Sequence, residues 1–217
     1  MAFWVSLRLA SWTTATLLVL GLPLAWFLAR TRFPGKALLE AVIALPLVLP
    51  PTVLGFYLLL ALGPNSFLGQ QVVRLTGEAL PFTFRGIVIG SVLFNLPFAV
   101  RPFTAAFQVI DRRFLEASWC LGVSRWATFR RVVIPLAGPG ILAGLVLTFA
   151  HALGEFGVVL MLGGNIPGIT RTLSVAVYDQ VQALDYPAAQ ETSLVLVAFC
   201  LIGIVTVSYL QRHLISL

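Results

Sequence analysis

The side chains able to do chemistry in this chain are few, and most stand inside long apolar runs. His151 and Glu155 lie four residues apart, so on a helix they share a face and a hydrogen bond between them is expected. At ~1.5 Å of rise per residue, Glu155 falls about 30 Å along a helix from Pro135, which is expected to bring it close to the outer surface. There it is either a solvated carboxylate or half of an outer gate held with Arg171. His151 has no second ligand at metal-binding spacing, so no metal site is expected. Ser-His-Asp sets, paired carboxylates and Cys-His clusters are absent. Cys120 and Cys200 are far apart and read as small hydrophobes. The single lysine, Lys36, does not sit in a phosphate-cradling G-x-x-x-x-G-K-[ST] loop. The chain is therefore not expected to be an enzyme or to bind a cofactor.

Proline supplies a second kind of signal. Pro46, Pro50 and Pro51 fall near the middle of one apolar run, and each removes a backbone donor and crowds the preceding turn. Pro97, with Asn95 beside it, falls at similar depth in the next run. Such interruptions are either packing kinks or broken helices that line a pathway. Facing one another, the two would form a hinge region.

These residues need elements to hold them, and composition decides their kind. Of 217 residues, 59% are hydrophobic and 10% charged, and the mean hydropathy is +0.98, well beyond a soluble domain. Crossing a bilayer takes about 20 predominantly apolar residues. About five stretches qualify, at 11–29, 37–62, 86–107, 133–162 and 193–210, which makes 1–217 a single, all-α, multi-pass transmembrane domain. The first stretch runs straight into Arg30 and Arg32 without a small-residue cleavage site, so it is expected to be a retained span.

The net charge of +6 is topological. Arg30, Arg32 and Lys36 follow the first span, and Arg112, Arg113, Arg125, Arg130 and Arg131 follow the third, while the alternate loops carry only Arg74, Arg85 and Arg171. Basic short loops stay cytoplasmic, which puts the N-terminus outside and the C-terminus, with Arg212 and His213, inside. Arg101, toward the inner end of the third span, can snorkel to the interface. Arginines scattered over loops, with no recognition fold, give no reason to expect nucleic-acid binding.

The most basic loop, 111–131, is expected to hold two short helices, Arg112 to Leu121 and Ser124 to Arg131, parted by Gly122 as a left-handed stop and Ser124 as an N-cap. One reading lays the loop on lipid, with Trp119 and Trp126 at headgroup depth. The other gives it a protein partner: anionic lipid would repel Asp111 and Glu116, and the small pair Ala117 and Ser118 admits a close backbone.

Glu116-Ala117-Ser118, then Gly122 after three residues and Val132-Val133-Ile134-Pro135 after nine more, resembles the "EAA" loop of the membrane subunits of ABC importers. The match departs at Ser118, where the pattern has a second Ala, and at Val132 and Ile134. The resemblance implies the type I importer permease fold, with this loop as a coupling helix docked in a cleft of a separate ATPase. Glu116 would meet a basic group there, Gly122 would set the bend, and Arg125 and Trp126 would extend the contact. ATP and Mg would be bound by that partner.

Further segments are similar to the molybdate branch of these importers: Phe33 to Leu39, Leu45 to Pro51, Gly154-Glu155-Phe156-Gly157, and Asn165-Ile166-Pro167-Gly168 with Thr170-Arg171-Thr172. The resemblance implies a homodimer in the cytoplasmic (inner) membrane, two copies of the ATP-binding subunit and an extracytoplasmic oxyanion-binding protein. Asn165, Pro167 and Gly168 are the candidate contact for that protein, on an outer segment where Thr172 to Tyr178 is expected to form a short helix at the membrane surface. Sulfate and tungstate permeases are the neighbouring alternatives. An ion-coupled secondary transporter is disfavoured by the scarcity of buried charge and of paired halves.

Overall fold

The computed structural model describes residues 1–215, and regular structure among them is helical throughout. The Arg212 and His213 side chains, expected on the inner face, lie outside the described part.

Helix α1 spans Ala2–Arg30, so the first helix begins well before the expected residue 11, with Val5 and Leu9 already buried. The second apolar run is not one helix. Its α2 (Lys36–Ala44) passes through a 3-10 turn at Leu45–Leu47 and restarts as α3 (Pro51–Leu62), the two halves bent by 109°. The prolines account for the break. Pro50 adopts an extended backbone (φ −56°, ψ 133°), and Pro51 takes the first helical position, where a missing N–H costs nothing.

A short helix, α4 (Phe67–Thr76), then precedes α5 (Phe84–Gln108). The Ser66 hydroxyl caps α4 by accepting from the Gly69 N–H at 2.8 Å, and Gly77 ends it at φ +77°. The hydroxyl of Thr83 accepts from the Gly86 N–H at 3.1 Å to start α5. Contrary to expectation, α5 is not interrupted: it runs through Pro97 and Pro102. Burial of Phe94, Asn95, Pro97 and Ala99 holds the helix in register where proline removes ladder bonds.

The basic loop folds as α6 (Arg112–Cys120) and α7 (Arg125–Thr128), followed by a π-helical turn at Phe129–Val133 that leads into α8 (Ile134–Gly154). The fourth expected span, 133–162, breaks at Glu155 and Phe156 before α9 (Gly157–Gly163). Then come α10 (Leu173–Gln182) and α11 (Tyr186–Ile215). Among the described residues, four stretches are long and apolar enough to cross a membrane, or five with the bent pair taken as one.

Helix α5 packs against α1, α8, α9 and the Leu45–Leu47 turn. Small residues let the backbones approach. A Cβ on Gly140 of α8 would stand 2.5 Å from the Cβ of Ala106, and one on Gly144 would stand 2.7 Å from the Phe103 ring. Phe103 and Phe107 are fully buried with Leu17, Leu28, Val100 and Val133 in one apolar cluster between α1, α5 and α8. Trp4, Leu20, Val48 and Leu201 stay exposed on the outside of the bundle.

Candidate functional site

Two regions gather the polar residues of this apolar molecule. The first lies where α8 breaks. Glu155 is 3% exposed, so it is not the solvated carboxylate expected from a straight helix; the break turns it back into the bundle. Its Oε2 accepts hydrogen bonds from Ser91 Oγ at 2.6 Å and Asn95 Nδ2 at 3.0 Å, both on α5. Oε1 is buried with no hydrogen-bond partner among the described residues.

His151 does not bond Glu155 directly. Its Nδ1 lies 2.9 Å from Asn95 Oδ1, so the Asn95 amide bridges the two. The imidazole stacks on Phe98, ring centroids 3.9 Å apart. Asn95 is fully buried, and its amide also donates to the Ser91 carbonyl at 2.8 Å. The side chain expected to face a pore is therefore committed to α8. Ser174 of α10 donates to the Glu155 carbonyl at 2.8 Å, which ties the break to a fourth element.

Glu155 is not paired with Arg171. That guanidinium donates through Nε to Asn165 Oδ1 at 2.6 Å and meets Asp179 at 3.4 Å. The turn between α9 and α10 carries Arg171 into a loop of its own, where Thr170 Oγ1 donates to the Gly163 carbonyl at 2.7 Å and Gly168 takes φ +76°. Pro167 and Gly168 stand exposed at its tip. Helix α10 is no mere surface helix, for Leu173 and Val175 are buried and the Leu173 N–H donates to Ser6 Oγ of α1 at 2.8 Å.

The two broken helices meet. A Cβ on Gly157, just after the α8 break, would stand 2.7 Å from the Cβ of Pro51 and 3.0 Å from the Thr52 nitrogen. Gly55 of α3 is equally close to Met161 of α9. Pro51 thus faces the glycine of a second break rather than Asn95 or Pro97. Pro46, in the 3-10 turn, belongs to the segment packed on α5.

The second region is the α6–α7 hairpin. Asp111 caps α6 by accepting from the Arg113 N–H at 2.9 Å, and the Ser124 hydroxyl caps α7 by accepting from the Ala127 N–H at 3.3 Å. Gly122, at φ +77°, makes the turn between them with open space where a Cβ would stand. Glu116 and Ala117 are exposed, and Glu116 pairs with Arg112 one turn earlier at 2.9 Å. Ser118 points the other way, buried with its hydroxyl 2.9 Å from that of Thr128. This contact explains a serine where the resembled pattern has alanine, and Thr128 had no signal in the sequence. Arg125 lies over the Trp119 ring at 5.8 Å, and Trp126 stacks on Phe129, which packs in turn on Trp26.

Residues 21–216 match the family described as the inner membrane component of binding-protein-dependent transport systems. The chain is 54% identical over 185 residues to the molybdenum transport system permease protein ModB of Azotobacter vinelandii, covering 85% of this chain and 82% of that one. It is 37% identical over 209 residues to ModB of Escherichia coli K12, with 96% and 91% covered. The sulfate transport system permease protein CysT of the same organism is 35% identical over 195 residues, with 90% and 70% covered. Among solved structures, a chain of a bacterial alginate ABC transporter in complex with a pentasaccharide-bound periplasmic protein superposes with a TM-score of 0.78 at 18% identity, covering 98% of this chain and 77% of that one. A chain of the inward-facing MetNI methionine ABC transporter superposes with a TM-score of 0.75 at 18% identity, covering 98% and 94%. Those likenesses place the fold with ABC importers, and the chain belongs to the family of inner membrane components of binding-protein-dependent transport systems.

Proposed function

We propose that this chain is the permease subunit of an ATP-driven importer that carries molybdate across the cytoplasmic membrane by alternating access. The observation that carries the substrate is the 54% identity to a molybdenum transport permease over 85% of the chain. A sulfate permease at 35% identity keeps sulfate as the second reading.

Two copies of the chain would enclose the pathway, each meeting one ATP-binding subunit that holds ATP and Mg. An extracytoplasmic binding protein would deliver the oxyanion. With basic loops retained inside, the N-terminus and the 164–172 loop face outward, so Asn165, Pro167 and Gly168 are offered to the binding protein. The C-terminus and the α6–α7 hairpin face the cytoplasm.

The hairpin is built to transmit force. It is short, capped at both helices, closed by the Ser118–Thr128 contact, and continuous through the π turn with α8. Glu116 and Ala117 present an exposed face to the ATPase. Movement there reaches the α8 break, where Glu155 and Asn95 fasten α8 to α5 and Gly157 abuts Pro51. A buried carboxylate would repel a dianion, so Glu155 acts here as a fastening for the break and not as a ligand. The two broken helices are where the halves of the bundle are able to shift against one another.

The test is ATP hydrolysis by the chain reconstituted in liposomes with its ATPase and binding protein. Molybdate or tungstate should stimulate turnover, and Glu116→Ala should abolish the stimulation. Stimulation by sulfate alone reassigns the cargo, while turnover indifferent to every oxyanion and to Glu116 rejects the importer reading.

A further inference from the structure

A cavity of about 1340 Å³ lies between the end of α1, the start of α2 and the α6–α7 hairpin. Among the described residues, Arg30, Arg32, Lys36, Arg112 and Arg125 line it, and no carboxylate does. The nearby carboxylates are already engaged, Glu40 with Lys36 at 3.8 Å and Glu116 with Arg112 at 2.9 Å. Lys36 also donates to the Leu28 carbonyl at 2.7 Å. Arg32 and Arg125 form no ion pair among the described residues. Arg30 donates from Nη2 to the Ile110 carbonyl at 3.0 Å, yet its Nε is buried with no hydrogen-bond partner among the described residues.

The other end of the cavity is apolar, formed by Pro23, Trp26, Phe129 and Val133. Pro23 precedes Arg30 by seven residues of one helix, so the lining grades from cationic to apolar over about 10 Å. Arg30 closes a helix long enough to cross a bilayer, which sets the cationic end at the membrane boundary.

We propose that this cavity binds an anionic phospholipid, its phosphate held by Arg30, Arg32 and Arg125 and its first acyl carbons laid along Trp26 and Phe129. Each basic side chain near a membrane surface favours anionic lipid, and only an amphiphile matches both ends of the lining. Inorganic phosphate or a nucleotide would leave the apolar end facing water. From α6 the lining side chains are Arg112, Leu115 and Trp119, which share one helical face; Glu116 sits at the edge of that face, paired with Arg112, and Ala117 falls off it and stays exposed. The lipid would take the place of the ATPase contact expected of Arg125 and Trp126, and the Ala117 side of α6 is left to the protein partner.

The experiment is native mass spectrometry of the delipidated permease, alone and with its ATPase subunit, titrated with phosphatidylglycerol, phosphatidylethanolamine or inorganic phosphate. Phosphatidylglycerol is expected to bind at least about tenfold more tightly than phosphatidylethanolamine, in both forms of the protein. The double variant Arg32→Gln/Arg125→Gln should lose about thirtyfold of that affinity. Arg113→Gln, on the same helix but off the cavity, should lose none, which separates this site from general loop charge. Equal binding of the two lipids, a double variant that binds like the parent, or displacement by inorganic phosphate at concentrations comparable to the lipid's would overturn the proposal. So would loss of the lipid whenever the ATPase subunit is bound, which would assign the cavity to that partner.

Discussion

At the residue scale, most polar side chains inside the bundle serve one another. Glu155 provides the acceptor for two buried donors on α5, and an unmet buried donor costs about 1–3 kcal/mol. Glu155→Ala should therefore lower the thermal stability of the purified permease by an amount in that range or above. Glu155→Gln, which keeps an oxygen for Ser91 and Asn95, should cost less. The comparison is a pair of melting curves in detergent, and equal melting of Glu155→Ala and the parent would refute the fastening role. Ser118 and Thr128 call for a different design, because each hydroxyl satisfies the other. Ser118→Ala alone strands the Thr128 hydroxyl and should destabilise by about 1 kcal/mol. Adding Thr128→Val should restore much of the loss, since removing both partners is close to neutral. A double-mutant cycle by melting measures this directly, and strictly additive losses would mean that the contact does not form.

At the element scale, proline placed the break in the second span in plain view, while the break in the fourth had no comparable mark. Gly154-Glu155-Phe156-Gly157 contains no proline, and hydropathy carried the expected helix straight through to 162. Tertiary contacts hold the break: Ser91, Asn95 and Ser174 bond Glu155, and Gly157 is the residue that lets Pro51 come close. Gly157→Val should thus overpack that contact at a cost of about 1–3 kcal/mol, with transport lost along with stability. Gly138→Ala is the control, because nothing lies within 4 Å of the site where its Cβ would stand. If uptake and melting tolerate both substitutions alike, the two breaks do not bear on one another. The reverse miss occurred in α5, where Pro97 was expected to interrupt a helix that packing keeps whole.

At the scale of the whole molecule, orientation rests on charge. Cys120 is exposed on the hairpin, and Gly168 is exposed at the tip of the 164–172 loop. A membrane-impermeant maleimide should label native Cys120 in inverted vesicles only. In a Cys120→Ser background, Gly168→Cys should be labelled in right-side-out vesicles only. Labelling of the two positions from the same side would overturn the arrangement of the loops.

By itself the sequence determined the broad class. Uninterrupted apolar length leaves no solution but membrane-crossing helices, and the short motif around Glu116 and Gly122 depends on local turn and cap chemistry that a few neighbouring residues specify. Local rules also located Pro50 and Pro51 as a break, because proline's missing donor acts on its own turn. Tertiary structure alone decided the partners. Glu155 meets residues 64 and 60 positions away, and Arg171 turns to Asp179 instead, because where a chain breaks fixes which way every later side chain points. Distances along a straight helix placed Glu155 at the surface; the break folded it into the core. The cationic cavity likewise exists only once α1, α2, α6 and α7 are brought together, since no single segment contains both its charges and its apolar end.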